Sequence, residues 1–326
     1  MIRTRIIGTG RCLPDKVVTN TDLEHLMDTS DEWIRQRTGI VQRHMAEPGT
    51  GPSDLGAVAA KRALDAAGVS PSEVDFIICA TITPDYLFPA TACVMQHKLG
   101  IKNSGAMDIN AACSGFLYGL QIADAFIRGG THRTVLVVGA EVLTARLDFT
   151  NRNTAILFGD GSGAAVLRAD FTGRGVLSTY TNADGSAGDI LCIPAGGTKQ
   201  IITPDNVNEA EMTVIMDGRA LYKRAVLAFG EATQKALEPT GLKASDITWF
   251  LPHQANQRII ESAVERLGVP SEKVYLNLDR VANTSAASIP IALDEMVERD
   301  LLHEGDLVLM ASFGAGLTWA GAMVRW

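Results

Sequence analysis

The chain reads as an α/β protein in which one strand-and-helix unit is used twice. Three observations predict this: apolar strands of buried type alternate with helical segments, an internal match relates the two halves, and 326 residues suit either two domains or one large α/β unit. In chain order, "AAKRALDAAGVSPSEVDFII" at 59 to 78 predicts a helix, a glycine stop at Gly68 and a strand. "VDFIICAT" is apolar almost throughout rather than alternating, as in a strand covered on both faces. "AMDIN" predicts a short strand. "CSGFLYGLQIADAFIRGG" follows as a helix whose Phe116, Leu117, Leu120, Ala123 and Ile127 recur at helical spacing before Gly129 and Gly130 end it. "RTVLVVGA" is a further buried-type strand.

The later half repeats this order. "ATQKALEPTGLKASDITWFL" at 232 to 251 aligns without gaps on 59 to 78, pairing Ala63 with Ala236, Leu64 with Leu237, Gly68 with Gly241 and Ser72 with Ser245. "DLVLMAS" (306 to 312) resembles "TVLVVGA" (134 to 140), and "FGAG" (313 to 316) resembles "FGDG" (158 to 161). Three matches in one order predict two copies of a βα-rich unit, covering about residues 1 to 170 and 171 to 326, a period far longer than that of a solenoid. Alternation of strand and helix indicates largely parallel sheets covered by helices, whose sites gather at strand C-termini and helix N-termini.

Composition narrows the function classes. With 46% apolar and 20% charged residues the chain is of globular type. A net charge of −8 argues against an overall basic nucleic-acid binder. "MIRTRIIGTGRCLPD" lacks the apolar core of a secretion signal, and no apolar run approaches the roughly 20 residues of a membrane span, so a cytoplasmic protein without membrane association is expected. Cys12, Cys79, Cys93, Cys113 and Cys192 are odd in number and lack CxxC spacing, which disfavours a disulfide framework or zinc ribbon; four of them are expected to be buried small hydrophobes. The histidines are scattered, and neither HExxH, GxGxxG after a first strand nor GxxxxGK[ST] occurs, so no metal, dinucleotide or P-loop fingerprint is present.

Three residues stand where such folds carry chemistry. Cys113 follows "AMDIN" and opens a helix, a position whose dipole and free N–H groups favour thiolate. His253 follows the strand "ITWFL", and Asn283 precedes the small-residue segment "TSAAS", which reads as a helix start. Together they would supply a nucleophile and two hydrogen-bond donors for an oxyanion or enolate. "FGAG" offers a backbone that can approach a reacting group closely.

"NAACSGF", "PHQAN", "NTSAAS", "TSDEWIRQRTGI" and "FGAGLTW", taken in order, resemble the β-ketoacyl-acyl-carrier-protein synthase III family, initiating condensing enzymes of the thiolase superfamily. The resemblance runs from "IIGTG" to the final "VRW". It implies a five-layer αβαβα fold of two similar halves, an acyltransferase acting in fatty-acid biosynthesis, and a homodimer. It implies that Cys113 takes an acyl group from acyl-coenzyme A, a substrate rather than a cofactor, with no cofactor of its own. His253 and Asn283 would then support decarboxylation of malonyl-acyl-carrier protein and attack of the resulting enolate on the acyl-Cys113 thioester. The oxyanion donors implied are the backbone N–H groups of Cys113 and Ala315, a place where many relatives have glycine, with Phe313 beside the cysteine. An alanine there could not take positive φ as cheaply as glycine.

The resemblance further implies that Trp33 and Arg152 sandwich the adenine of coenzyme A, with Arg37 near its phosphates. Arg258 and Lys223 match a basic patch for the acidic carrier protein. Phe88 matches a residue that reaches across the two-fold axis into the partner's acyl pocket; Leu191 and Met216 are expected as pocket walls from their motif neighbourhood. The primer is expected to be acetyl-coenzyme A, with longer or branched acyl groups in a secondary pathway as the alternative. A Cys-His-Asn order also occurs in papain-like hydrolases, but their local signature around the cysteine is missing here. A catalytically silent member of the fold would normally lack one of the three residues.

Overall fold

The computed structural model describes residues 2–209 and 211–326. Its first sheet contains β1 (Arg3–Cys12), β2 (Phe76–Ala80), β3 (Gly105–Ile109), β4 (Thr134–Glu141) and β5 (Gly161–Asp170), in the spatial order β1-β5-β4-β2-β3. β2 runs parallel to both β3 and β4, while β5 is antiparallel to β4 and β1. The second sheet contains β6 (Gly175–Ala183), β7 (Trp249–Pro252), β8 (Leu307–Gly314) and β9 (Thr318–Arg325), in the order β7-β8-β9-β6. Here β7 is parallel to β8, and β9 is antiparallel to β8 and β6. The two sheets therefore share their order and strand directions, with Val274 bridging to Phe250 where the first sheet has β3.

Two helices lie between the sheets: α4 (Gly115–Arg128) and α7 (Ser288–Glu298). One apolar core joins Phe116, Leu120 and Ile127 of α4, Ile289 and Met296 of α7, and inward residues of both sheets such as Val135 and Met310. The period-two geometry of β4 explains how a wholly apolar strand serves two layers. Val135 and Val137 face the central helices, whereas Leu136 and Val138 face α2 (Pro52–Ala67) and α3 (Thr91–Lys98). On the far side, α5 (Gly218–Leu237) and α6 (Gln257–Leu267) cover the second sheet with Ala232, Phe229 and Ala263. The result is the αβαβα layering expected from the resemblance. All five α4 positions read as an apolar stripe are buried.

Of the four cysteines expected to be buried, only Cys79 is; Cys12 and Cys192 are half-buried and Cys93 is exposed. Period-two alternation at a strand's end and one exposed helix face account for the difference. No helix among the described residues is long and apolar enough to cross a membrane.

Candidate active site

The loop after β3 turns sharply: Ala112 has φ +46, and Ala112–Ser114 forms one 3-10 turn before α4 begins at Gly115. Cys113 thus sits just ahead of the α-helix rather than at its first residue. His253 follows β7 directly, its N–H donating to Ala311 O at 2.8 Å on β8. Asn283 follows Ala282, which has φ +58, and its backbone is clamped to the Phe158 loop: its N–H donates to Leu157 O and its carbonyl accepts from Gly159 N, both at 3.0 Å. Left-handed backbone at three non-glycine positions, Ala112, Ala282 and Ser285, is costly and is held here by surrounding structure.

Cys113, His253 and Asn283 line one cavity of about 910 Å³. His253 is buried, and its Nδ1 lies 2.5 Å from Ser288 Oγ, which also accepts the Gln254 N–H at 3.2 Å. His253 Nε2 has no partner among the described residues. Burial pulls the imidazole down to about 3, so it is neutral at ordinary pH. The Asn283 amide is oriented because its Oδ1 accepts the Ser285 N–H at 2.8 Å, leaving Nδ2 as its donor end.

One expectation is corrected. Burial pushes the Cys113 thiol up to about 12, outweighing any help from the helix start, so the resting nucleophile is a neutral thiol. Beside it, the concern about alanine in "FGAG" dissolves: Ala315 is not among the residues with positive φ, while Gly316 is, at +132. Gly314 is the residue that must be glycine, since a Cβ there would lie 2.6 Å from Cys113 N. The turn is tied to the nucleophile by Thr318, whose Oγ1 donates to Ala111 O at 2.7 Å. Phe313 is buried and lines the cavity.

Toward the mouth, α1 (Asp31–Thr38) is capped by Ser30, whose Oγ accepts the Trp33 N–H, and ends at Gly39 with φ +81. This presents Trp33 and Arg37 on one side of the opening. Arg37 and Arg152 place guanidinium carbons 5.0 and 4.9 Å from the Trp33 ring centre. Holding a base between Trp33 and Arg152 requires roughly 7 Å, two van der Waals gaps of about 3.5 Å. The sandwich therefore stands closed, with Arg152 also donating to Asp28 O at 2.8 Å, and Arg152 must swing aside to admit an aromatic ring.

Lys223 and Arg258 both border the opening, as does Arg219, which sequence reasoning missed. None of Arg37, Arg219, Lys223 or Arg258 is in an ion pair among the described residues, so a locally positive mouth exists on a chain of net charge −8. Leu191 and Met216 line the cavity, joined by Leu157, Leu221 and Phe229, which were not foreseen. Phe88 lines none of it and is 86% exposed, beside Leu87 at 88% and Tyr86 at 60%. No group of three His, Cys, Asp or Glu residues among those described could hold a metal ion.

Residues 107–185 match the family model described as 3-oxoacyl-[acyl-carrier-protein (ACP)] synthase III, and residues 237–326 match the one for its C terminal part. The beta-ketoacyl-[acyl-carrier-protein] synthase III of Caldanaerobacter subterraneus is 49% identical over 325 residues, covering 100% of this chain and 98% of the relative. That of Natranaerobius thermophilus is 47% identical over 329 residues, covering 100% of both. Among solved structures, 3-oxoacyl-[acyl-carrier-protein] synthase III from Aquifex aeolicus superposes with a TM-score of 0.92 at 45% identity, covering 99% of this chain and 100% of that one. A priming beta-ketosynthase from a polyketide biosynthetic pathway gives 0.94 at 36% identity, covering 99% and 96%.

Proposed function

The chain belongs to the 3-oxoacyl-[acyl-carrier-protein] synthase III family, condensing acyltransferases that initiate fatty-acid synthesis, and from that premise we propose that it joins acetyl-coenzyme A to malonyl-acyl-carrier protein through an acyl-Cys113 thioester. The observation that carries this reading is one cavity lined by a thiol, a buried neutral imidazole with a free Nε2, and an amide whose donor end is set by Ser285 N. Cys113 attacks the acyl carbon and coenzyme A leaves. The malonyl thioester then enters the same cavity. As carbon dioxide departs, negative charge moves to the thioester oxygen, where hydrogen bonds from His253 Nε2 and Asn283 Nδ2 strengthen. Ser288 can support this by donating its proton to Nδ1, which leaves hydrogen on Nε2. The enolate carbon attacks acyl-Cys113, the thiolate leaves, and the β-ketoacyl-acyl-carrier protein departs. Each step is carried by side-chain and backbone groups, so the reading needs no resident cofactor.

Leu157, Phe158, Phe229 and Phe313 offer a malonyl carboxylate no cation deep in the cavity, which favours its loss as neutral carbon dioxide. The cationic mouth suits coenzyme A phosphates and an acidic carrier protein. The exposed run Tyr86, Leu87 and Phe88 favours a homodimer, since three adjacent apolar side chains in water call for a cover. In this reading the dimer works in the cytoplasm, where coenzyme A thioesters are available.

The test is to offer acyl-coenzyme A thioesters of increasing length, follow intact mass, and locate the adduct by peptide digestion. Fastest labelling of Cys113 by the acetyl thioester is expected. Faster labelling by longer or branched thioesters would replace the primer, because one methylene is worth only about 1–3 kcal/mol of discrimination. No adduct from any thioester would overturn the reading and favour a hydrolase. Separately, Arg258→Glu is expected to raise KM for malonyl-acyl-carrier protein roughly tenfold at low salt, less at high salt, with acylation by acyl-coenzyme A nearly intact. Equal losses in both half-reactions would remove Arg258 from carrier-protein docking.

A further inference from the structure

Acylation must dispose of the Cys113 proton, and the thiol is neutral at rest. His253 is a poor acceptor, because its Nδ1 is engaged by Ser288 and its burial opposes a positive charge. The side chains that bear on the Cys113 thiol are instead Ser285 and, beyond it, Glu141. Ser285 is buried in the "NTSAAS" loop, with φ +50, and is held by its N–H bond to Asn283. Its loop packs against both the Cys113 turn and β4, and its hydroxyl has no hydrogen-bond partner among the described residues.

Glu141 ends β4 and is fully buried. Two residues earlier, Gly139 lets this loop press onto the strand, since a Cβ there would lie 2.2 Å from Ala286 O. The carboxyl accepts hydrogen bonds from Thr83 Oγ1 at 2.7 Å, Thr81 Oγ1 at 3.2 Å and Ile82 N at 3.1 Å. Around it stand Thr81, Ile82 and Thr83 from the loop after β2 and Ser285 from the loop before α7. The titratable groups that feel its charge are Cys113, and Cys79 on β2. Burial, opposed by these hydroxyl and amide donors, brings Glu141 up to about 7, between a carboxylate's usual range and that of a thiol. The mechanism described above leaves this carboxyl unused.

We propose that Ser285 and Glu141 form a proton relay that takes the Cys113 proton during acylation and returns it when Cys113 is released. In acylation the Cys113 sulfur forms its bond to the acyl carbon as its proton passes to Ser285 Oγ, and the Ser285 proton passes to the Glu141 carboxylate. The bond to the coenzyme A sulfur breaks, and that thiolate takes a proton from water. In condensation the carbon–carbon bond forms, the Cys113 thioester bond breaks, and the leaving thiolate receives its proton from Glu141 through Ser285. The one proton consumed overall ends on coenzyme A.

The inference rests on Cys113 being the acylated nucleophile, and one experiment separates the two. Single-turnover acylation by acetyl-coenzyme A is followed by rapid quench and intact mass between pH 5 and 10. For the unaltered protein the rate is expected to rise and level off above about pH 7. Glu141→Gln is expected to be acylated roughly 10²-fold more slowly at pH 7, with a rate that keeps climbing about tenfold per pH unit as thiolate forms. Ser285→Ala is expected to behave alike. Thr83→Val removes a donor to the carboxylate, so it is expected to move the inflection to higher pH; it decides the matter if Glu141→Gln does not fold. An inflection near 7 that survives Glu141→Gln, or one unmoved by Thr83→Val, would overturn the relay while leaving the acyl-enzyme in place. Absence of any Cys113 adduct in the unaltered protein would overturn both.

Discussion

Cys113→Ala is expected to yield no acyl-enzyme with any thioester and to lower condensation by about 10⁴-fold or more. The side chain is the sulfur whose bond to the acyl carbon divides one difficult transfer into two easier ones. Alanine fits the same small space beside Gly314, so the loss should be chemical rather than structural, with a thermal midpoint close to that of the unaltered protein. The variant keeps His253 and Asn283, so it should still release carbon dioxide from malonyl-acyl-carrier protein without forming a carbon–carbon bond. Intact mass after incubation with acetyl-coenzyme A, together with carbon dioxide release, checks both halves. An adduct that persists in the alanine variant would assign the nucleophile elsewhere.

The duplicated fold was legible because its signals are local. A wholly apolar strand such as "RTVLVVGA" must be covered on both faces, and a helix that stops at glycine ahead of such a strand recurs in the second half as Gly241 ahead of "ITWFL". Neither inference needs knowledge of what lies across the core. The same holds for Cys113, His253 and Asn283 as candidates, since each follows a strand or precedes a helix in the chain itself.

What escaped notice depends on contacts between distant segments. Ser288 meets His253 across 35 residues, and Glu141 meets Thr81 across 60. Glu141 directly follows the buried-type strand "RTVLVVGA", but a strand's end does not say whether the next side chain is covered. Ser285 and Ser288 lie within the quoted "NTSAAS" stretch, so the signal was present, but the small residues were read as a helix start rather than as hydroxyls. The ionisation of Cys113 was misjudged for a similar reason. A helix start is visible in sequence, whereas the desolvation that opposes it comes from the loops folded over the thiol. Nothing in the local sequence marks Arg219, because only folding brings it to the same opening as Arg37 and Arg258.

Alanine at His253 or Asn283 is expected to separate the half-reactions, lowering decarboxylative condensation by roughly 10²–10³ through loss of one enolate donor. The two residues should nonetheless differ. Among the described residues His253 meets only Ser288 through its ring, so His253→Ala is expected to leave acylation within a few-fold. Asn283→Ala also removes the acceptor that holds the strained Ser285 turn through its N–H, so acylation should weaken as well. Asn283→Asp distinguishes these effects: it keeps an oxygen for Ser285 N but sets a second oxygen where the enolate needs a donor, so acylation should recover while condensation stays lost. The pH dependence follows from the depressed His253 value. Its neutral form persists down toward pH 3, so decarboxylation should show no descending limb from this residue between pH 5 and 8. Unfolded histidine takes a proton below about 6.5 and the folded one does not until about 3, so stability falls as pH drops through that window, and His253→Ala should lessen that fall. Undiminished condensation in either alanine variant would remove that residue from the enolate site.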